Sequence, residues 1–217
     1  MSADGGMADY LLVEGSRCVP IGSDVEPERA VLVEPFAVAF HAVDRDPVAG
    51  RRIAVVGIGS LGLCVVETAI LAGASEVIAV SRSQRMRELA REAGAHEALP
   101  PERSPDVDAE IVFETAGTAP AMATAARAVQ RGGRIVVLGG HPRPIPVDLL
   151  DLTVRELALV GSVSHRFADF ARAAAAINAG DVGRAARPIT VAPLEQGPAL
   201  LQAEEATTKR ILMPGLS

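Results

Sequence analysis

The apolar residues of this chain fall in short runs whose spacing alternates between that of a strand and that of a helix. Aliphatic runs predict strands at 52–56, 77–80, 111–113, 135–138 and 157–160. Between them, apolar positions three and four residues apart predict helices at 61–71, 86–93, 120–130 and 167–177. Strands that alternate with helices of this length predict an α/β fold with a doubly wound parallel sheet.

The two ends of the chain predict further elements outside this alternation. Residues 8–14 predict a short strand, residues 19–21 lead into a second element, and Pro27 opens a helix that extends to about residue 44. In the tail, the pattern predicts a strand at 189–191, a helix at 194–203 and a last strand at 210–213. Proline-rich segments at 99–105 and 142–146 predict loops.

The turn after the first central strand reads Gly-Ile-Gly-Ser-Leu-Gly from Gly57 to Gly62. In a dinucleotide-binding turn of this kind, Gly57 permits the sharp bend and Gly59 lets the backbone approach a pyrophosphate. Gly62 lets the helix pack closely on the sheet. The same glycines would also serve a plain tight connection, but the strand–helix units that follow favour a dinucleotide site.

The end of the second strand decides which dinucleotide is expected. An NAD site places an acidic residue about 20 residues after the glycines to bind the ribose 2′-hydroxyl. This chain has Ser81 there, followed by Arg82, and a guanidinium favours a 2′-phosphate. The residues therefore favour NADP over NAD. The alternative is that Ser81 or Ser83 only caps the next helix while the arginines lie in solvent.

Small residues follow the third and fourth strands as well. The segments are Glu114-Thr115-Ala116-Gly117 and Leu138-Gly139-Gly140-His141. Since ligands of open α/β sheets bind at the carboxyl ends of the strands, both segments are expected to line the nicotinamide half. They would also serve as simple turn residues.

Composition narrows the function classes. The 217-residue chain is 49% hydrophobic with a formal net charge of −6, which argues against a nucleic-acid partner. No apolar run approaches the ~18 residues of a membrane span, and the first residues do not resemble a signal peptide. Two cysteines are too few for a disulfide framework. These features predict a cytoplasmic protein without a membrane partner.

Several motifs in order resemble the zinc-type medium-chain dehydrogenases/reductases, in particular the polyol and threonine dehydrogenase branch. Residues 6–10 resemble the family's Gly-x-Ala-Glu-Tyr strand, and residues 33–43 its Glu-Pro-Leu-x-Val-x-x-His-Ala helix. Residues 147–162 resemble the segment that joins its last cofactor-domain strands, and residues 209–212 its closing Lys-x-x-Leu strand. The resemblance covers nearly the whole chain. It implies a Rossmann cofactor domain and hydride transfer with an alcohol, polyol or carbonyl substrate.

The resemblance also implies cofactor contacts along the chain. These are Gly57, Gly59, Ser60, Leu61, Gly62 and Lys209 at the pyrophosphate, Ser81, Arg82 and Arg85 at the adenosine ribose, and Ala116, Gly117, Gly139 and Ser162 near the nicotinamide. Lys209 would otherwise be an exposed lysine at the start of a strand.

One part of the family pattern is missing. Relatives begin with a catalytic lobe that binds zinc through a cysteine and a Gly-His-Glu motif, whereas this chain starts where that lobe ends and has no Gly-His-Glu. Neither Cys18 nor Cys64 has a ligand-like context, so zinc is not expected. The expected division is a catalytic-domain remnant with a linking helix at 1–45, a Rossmann domain at 46–162 and a return segment of the catalytic domain at 163–217.

Without zinc, acid–base chemistry would need another group. Glu34 and His41 are the leading candidates for catalysis, followed by His141 and His165, with Asp169 less favoured. For each of these residues the alternative is an ordinary surface or structural role without catalysis. Glu34 could also be a remnant of the family's zinc ligands. Three functions stay open: an NADP-preferring oxidoreductase, a non-catalytic dinucleotide-binding subunit or sensor, and an inactive remnant. Apolar residues expected to be uncovered, including Leu11, Val13 and Ile189, predict a homodimer or larger homo-oligomer.

Overall fold

A six-stranded parallel sheet forms the centre of the computed structural model, which describes residues 6–8, 10–183, 185, 187, 189–202 and 209–215. Its strands are β1 Arg52–Val56, β2 Glu76–Val80, β3 Glu97–Leu99, β4 Ala109–Glu114, β5 Val129–Val137 and β6 Ala158–Gly161. Their order across the sheet is β3-β2-β1-β4-β5-β6. The predicted doubly wound α/β fold is confirmed. The chain leaves β1 in one direction and β4 in the other, so a ligand crevice is expected between these two strands.

Helices connect and flank these strands. They are α1 Pro27–Ala30, α2 Val33–Val43, α3 Ser60–Leu71, α4 Gln84–Glu92, α5 Ala119–Ala128, α6 Leu149–Val154, α7 Phe167–Ala179 and α8 Gly197–Gln202. Short 3₁₀ helices occupy Gly15–Arg17, Pro101–Asp106 and Leu194–Gln196. Near the carboxyl terminus, β7 Ile189–Pro193 and β8 Lys209–Met213 pair in parallel as a separate two-stranded sheet.

The two faces of the large sheet are buried in separate apolar clusters. Alternate β1 residues point to opposite faces, so that Ile53 and Val55 join one cluster while Ala54 and Val56 join the other. The first cluster contains buried residues of α2, α3, α4 and α7, and the second contains residues of α5. Burial on both faces explains why the central strands are continuous apolar runs rather than alternating ones.

The predicted strand at 8–14 is wrong. Residues 10–14 form neither helix nor strand, Leu11 and Leu12 are exposed, and Asp9 lies outside the described residues. A strand needs a neighbouring strand for its backbone hydrogen bonds, and none of the described strands pairs with this segment. Residues 19–21 likewise form no regular element.

The predicted helix at 27–44 is two helices, α1 and α2, separated at Val31 and Leu32. Pro35 explains the break, because a proline ring clashes with the carbonyl four residues before it and has no N–H to donate there. It is tolerated in the first turn of α2 but not in the interior of one long helix. Most of α2 is buried, and its cluster includes α3 and α7.

Other boundaries also differ from the prediction. The structure adds β3, the 3₁₀ helix at Pro101–Asp106 and the short helix α6, each too short for a clear period. Residues 129 and 130 belong to β5 rather than to α5. The helix predicted at 194–203 is a 3₁₀ turn followed by α8, and Ala203 lies outside the described residues. Ile189 is half-buried in β7 rather than uncovered. Within the described residues, no helix is long and apolar enough to cross a membrane.

Candidate functional site

The glycine turn bends sharply between β1 and α3 and contacts the end of β4. Gly57 has a φ of +98°, a conformation that side chains other than glycine rarely adopt, and a Cβ there would lie 2.6 Å from the Cβ of Ala116. A Cβ on Gly62 would lie 2.2 Å from the carbonyl oxygen of Gly57. The hydroxyl of Thr115 donates to that same carbonyl oxygen. Both glycines are therefore required by close packing.

Gly59 differs from its neighbours because a Cβ there would meet nothing within 4 Å. It is the N-cap of α3, and the first hydrogen bond back to the turn runs from the Leu63 N–H to the Gly59 carbonyl. The N–H groups of Ser60, Leu61 and Gly62 precede that bond, at the positive end of the helix. The buried hydroxyl of Ser60 has no hydrogen-bond partner within the described chain. This open helix terminus fits a pyrophosphate.

The segment after β2 lies directly beside the turn. The Gly57 N–H donates to the carbonyl of Val80, the residue before Ser81, at 3.0 Å. Ser81 is half-buried, whereas Arg82 and Arg85 are exposed. Ser83 caps α4 by accepting from the Met86 N–H at 3.4 Å, as the capping alternative expected. Ser83 rather than Ser81 is thus the cap, and the exposure of both arginines agrees with the capping alternative as well as with a ligand-facing position.

Arg87 contributes to this segment, although the sequence did not single it out. Its Nη1 donates to the carbonyl oxygens of Ser81 at 2.7 Å and Arg82 at 2.9 Å. The guanidinium therefore holds the backbone of the two residues expected to meet the adenosine ribose. An arginine on an amphipathic helix ordinarily lies in solvent, so no local signal distinguishes it from its neighbours.

The ends of β4 and β5 converge on the other side of the turn. A Cβ on Gly117 would lie 2.5 Å from the Gly140 carbonyl oxygen, and one on Gly139 would lie 2.1 Å from the Gly117 nitrogen. Ala116 lies between this contact and Gly57. Ser162, after β6, donates its N–H to the Val137 carbonyl at 3.0 Å, and its buried hydroxyl has no partner in the described part of the chain. The residues expected at the nicotinamide therefore share one edge of the sheet.

Glu114 is the least expected residue of this edge. It is fully buried at the end of β4, where its carboxylate accepts from the N–H groups of Ala116 at 2.9 Å and Gly117 at 2.8 Å. Its second oxygen lies 3.1 Å from Nε2 of His141. An acid directly after the apolar run Ile111-Val112-Phe113 is a signal that the sequence carried.

His41 and Asp169 connect α2 to α7. Nδ1 of His41 lies 3.0 Å from a carboxylate oxygen of Asp169, which also accepts from the backbone N–H of Arg166 and from its guanidinium. Hydrogen bonds from Arg166 lower the pKa of Asp169 to about 2, against the opposing effect of burial. The end of α2 shares a small surface cavity with Ala72, the C-cap of α3. His41 lies two residues before the end of α2, and its hydrogen-bonding contact is with α7 rather than with the glycine turn.

The remaining acid–base candidates are dispersed. Glu34 is exposed in the first turn of α2, and Nδ1 of His165 lies 3.2 Å from the Arg166 carbonyl oxygen. Of the five candidates, only His141 contacts residues at the carboxyl edge of the sheet through contacts described here. Catalytic roles for Glu34 and His41 stay predictions.

The described residues do not fit the zinc site that the resemblance implies. Among them, no group of three or more histidine, cysteine, aspartate or glutamate side chains is placed to hold a metal ion. Burial raises the pKa of the Cys64 thiol to about 12, with smaller opposing effects of Arg187 and Lys209, whereas zinc binds thiolate. Cys64 instead lies beside a buried ion pair of Glu67 and Arg187.

Comparison with known proteins decides the family. The sequence profile of the family described as zinc-binding dehydrogenase matches residues 60–179, from the first residue of α3 to the last of α7. This chain belongs to the zinc-binding medium-chain dehydrogenases. L-threonine 3-dehydrogenase of Thermococcus kodakarensis is 31% identical over 173 residues, which are 75% of this chain and 49% of that enzyme. The chain thus spans about half the length of the curated relatives it matches.

Solved structures of medium-chain dehydrogenases agree with the fold. A Sinorhizobium meliloti structure, described as that of a zinc-binding dehydrogenase bound to NADP, is 29% identical with a TM-score of 0.85. The match covers 97% of this chain and 66% of that one. A thermostable alcohol dehydrogenase from Pyrobaculum aerophilum, solved with cobalt and zinc, is 26% identical with a TM-score of 0.77, covering 89% of this chain and 59% of that one.

Proposed function

We propose that this chain forms the cofactor-binding part of an NADP(H)-preferring oxidoreductase. The supporting observation is the position of Ser81 and Arg82 beside the Gly57 turn, joined to it through the Val80 carbonyl. A dinucleotide whose pyrophosphate lies at the α3 terminus would bring its adenosine ribose to this segment. The similar NADP-bound Sinorhizobium meliloti protein supports the same reading.

The chain's own residues would bind and orient the cofactor. The α3 terminus and Ser60 would hold the pyrophosphate, together with Lys209, which the family resemblance assigns to the same group. Arg82, with Arg85 nearby, would pair with a 2′-phosphate. Ala116, Gly117, Gly139 and Ser162 would border the nicotinamide half. When bound, the nicotinamide supplies the hydride chemistry, and the protein supplies position and electrostatics.

The proposed substrate is an alcohol, polyol or carbonyl compound. This proposal comes from the names of similar proteins, such as L-threonine 3-dehydrogenase and alcohol dehydrogenase. We also propose a homo-oligomer, with neither nucleic acid nor membrane as a partner, in the cytoplasm. The acidic net charge of −6 supports the exclusion of nucleic acid.

A non-catalytic dinucleotide-binding subunit or sensor is the second candidate. The observation that favours it is that the described residues supply a fitting cofactor terminus but no zinc ligand set. Such a module would bind NADPH without oxidising it. An inactive remnant would bind neither cofactor.

Titration with reduced cofactors separates these functions. The chain has no tryptophan, so the fluorescence of NADPH itself is the readout, with calorimetry as a second measurement. We expect NADPH to bind more tightly than NADH. A panel of polyols, aldehydes and ketones then separates an enzyme from a binding module. Absence of binding to both cofactors would refute the proposed function.

A further inference from the structure

The Glu114 carboxylate connects the loops after β4 and β5. One oxygen accepts from Ala116 and Gly117 in the loop after β4, and the other faces Nε2 of His141 after β5. Since a carboxylate accepts and does not donate, Nε2 carries the hydrogen of this contact. The contact then holds the imidazole in one orientation.

Backbone contacts extend this pair towards the glycine turn. The N–H groups of Leu138 and Gly139 both donate to the Glu114 carbonyl, at 2.8 and 3.0 Å. The absent side chain of Gly139 lets its backbone approach the carboxylate, because a Cβ there would lie 2.7 Å from Oε2. The loops after β4 and β5 are therefore closely packed, so that a shift of one would displace the other. Ala116 also contacts Gly57 and so connects these loops to the glycine turn.

The His141 ring also carries an unused hydrogen-bonding atom. Its Nδ1 is buried without a partner within the described residues. Buried polar atoms without a hydrogen-bond partner are few in native proteins, and each calls for an explanation. Within the described residues, the contact with Glu114 is therefore the hydrogen bond that orients this ring.

The sheet order places this pair at one half of a dinucleotide. With the pyrophosphate at α3, after β1, the adenosine half would extend over β2, where Ser81 and Arg82 lie. The nicotinamide half must then extend in the other direction, over β4 and β5. Glu114 is the last residue of β4, and His141 follows β5.

We propose that Glu114 and His141 form a buried dyad that sets the wall of the crevice around the nicotinamide half, with His141 as a positioning residue. This inference rests on the proposed cofactor function. It assigns the dyad no contact with the adenosine half. Loss of the imidazole should therefore weaken one half of the ligand selectively.

Binding of two ligands distinguishes an effect on the nicotinamide half of the cofactor from an effect on the adenosine half. NADPH carries both, whereas 2′,5′-ADP carries the adenosine and its 2′-phosphate without the nicotinamide. For His141→Phe we expect the Kd for NADPH to rise about tenfold, the effect of one lost hydrogen-bonded contact. The Kd for 2′,5′-ADP should stay within about twofold, which also shows that the variant is folded. His141→Gln retains an N–H donor for Glu114 and should restore most of the NADPH affinity.

Controls make the result specific. His96→Gln changes a histidine whose Nδ1 accepts from Val77 in the first half of β2, and should alter neither Kd. If His141→Phe does not fold, Glu114→Gln is the second variant, and the same selective loss of NADPH is expected. Equal loss of both ligands, or no loss, would overturn the dyad proposal while leaving the cofactor function intact. A wild-type chain that binds neither ligand would instead refute the proposed function itself.

Discussion

Arg82 is the residue with the most direct bearing on cofactor choice. Exchange of Arg82 for aspartate replaces a group that pairs with a 2′-phosphate by one that repels it and can accept from a ribose 2′-hydroxyl. We expect the preference for NADPH over NADH to fall about 10–100-fold, from the loss of ~1.5–3 kcal/mol of charge-assisted contact. Cofactor titration measures both affinities.

A matched exchange of Arg131 tests whether net charge alone explains that result. Arg131 is exposed and pairs only loosely with Glu156, at 3.4 Å, with both side chains largely in solvent. Arg131→Asp should leave the cofactor preference unchanged. An unchanged preference in Arg82→Asp would remove its assigned role and favour the reading in which the arginine lies in solvent.

Asp169 controls a pH-dependent part of the stability. Its folded pKa of about 2 is below the ordinary value of 3.8, so its contribution is present above about pH 4 and is lost as the pH falls through 2. The shift corresponds to about 2 kcal/mol, reduced to ~1–2 kcal/mol because Arg166 is largely exposed. Asp169→Asn should therefore lower the free energy of unfolding by about this amount at pH 7 and by much less near pH 2.

Urea denaturation between these pH values measures the difference. Asp44→Asn is the control, because Asp44 pairs with Arg172 at the same helix contact but with both side chains about half exposed. It should cost under ~0.5 kcal/mol. A loss for Asp169→Asn that does not shrink in acid would contradict the assigned ion-pair and capping role.

At the scale of one element, two glycines of the turn have different roles: Gly62 is needed for packing, and Gly59 is expected to matter for cofactor binding. Gly62→Ala places a methyl group 2.2 Å from a backbone oxygen, so α3 must shift and the free energy of unfolding should fall by about 1–3 kcal/mol. Gly59→Ala meets nothing within 4 Å and has an ordinary negative φ, so its stability should change by under ~0.5 kcal/mol. Its methyl group would nevertheless occupy the space before the helix terminus.

Binding and unfolding measured on both variants test this distinction. Gly59→Ala should weaken NADPH about tenfold or more while melting like the wild type. If it binds normally, the pyrophosphate does not lie at Gly59. If Gly62→Ala is as stable as the wild type, the close packing of α3 is not required.

At the scale of the whole molecule, β6 is an edge strand beside an apolar surface. Exposed large apolar side chains occur in α6, in β6 and just after it, at Leu149, Leu150, Val154, Leu159 and Val163. Among the described strands, β6 pairs only with β5, and β6 itself (Ala158–Gly161) contains no charged residue. We propose that a second copy covers this surface, because two identical edges can pair around a two-fold axis.

Light scattering after gel filtration tests the dimer. Leu159→Glu places a charge in both copies of the interface and should weaken the dimer about tenfold or more. Leu71→Glu is the control, since Leu71 is similarly exposed (44% against 40%) at the end of α3. A monomeric wild type, or a dimer that resists Leu159→Glu, would rule out this surface. The residues predicted to be uncovered, Leu11 and Val13, are about half exposed and form a separate candidate contact.

Local sequence was sufficient for the elements whose causes lie within a few residues. The period of apolar positions predicted the strand–helix alternation, and the bend at Gly57 followed from residue type because few other residues adopt its φ. The prediction of one continuous helix at 27–44 was wrong. Pro35, which causes the break, is visible in the sequence, but the apolar spacing on both sides of it suggested a single helix. The prediction of a strand at 8–14 was wrong because a strand needs a neighbouring strand for its hydrogen bonds, and no local pattern identifies that neighbour.

Contacts between residues far apart in the sequence could be identified only from the tertiary structure. Glu114 and His141 are 27 residues apart, His41 and Asp169 are 128 apart, and Glu67 and Arg187 are 120 apart. The sequence contained each of these side chains, but their pairing depends on the strand order and on how α2 and α7 pack. Periodicity and turn chemistry act over one or two turns of chain, whereas the site is assembled where strands from separate parts of the chain end at one edge.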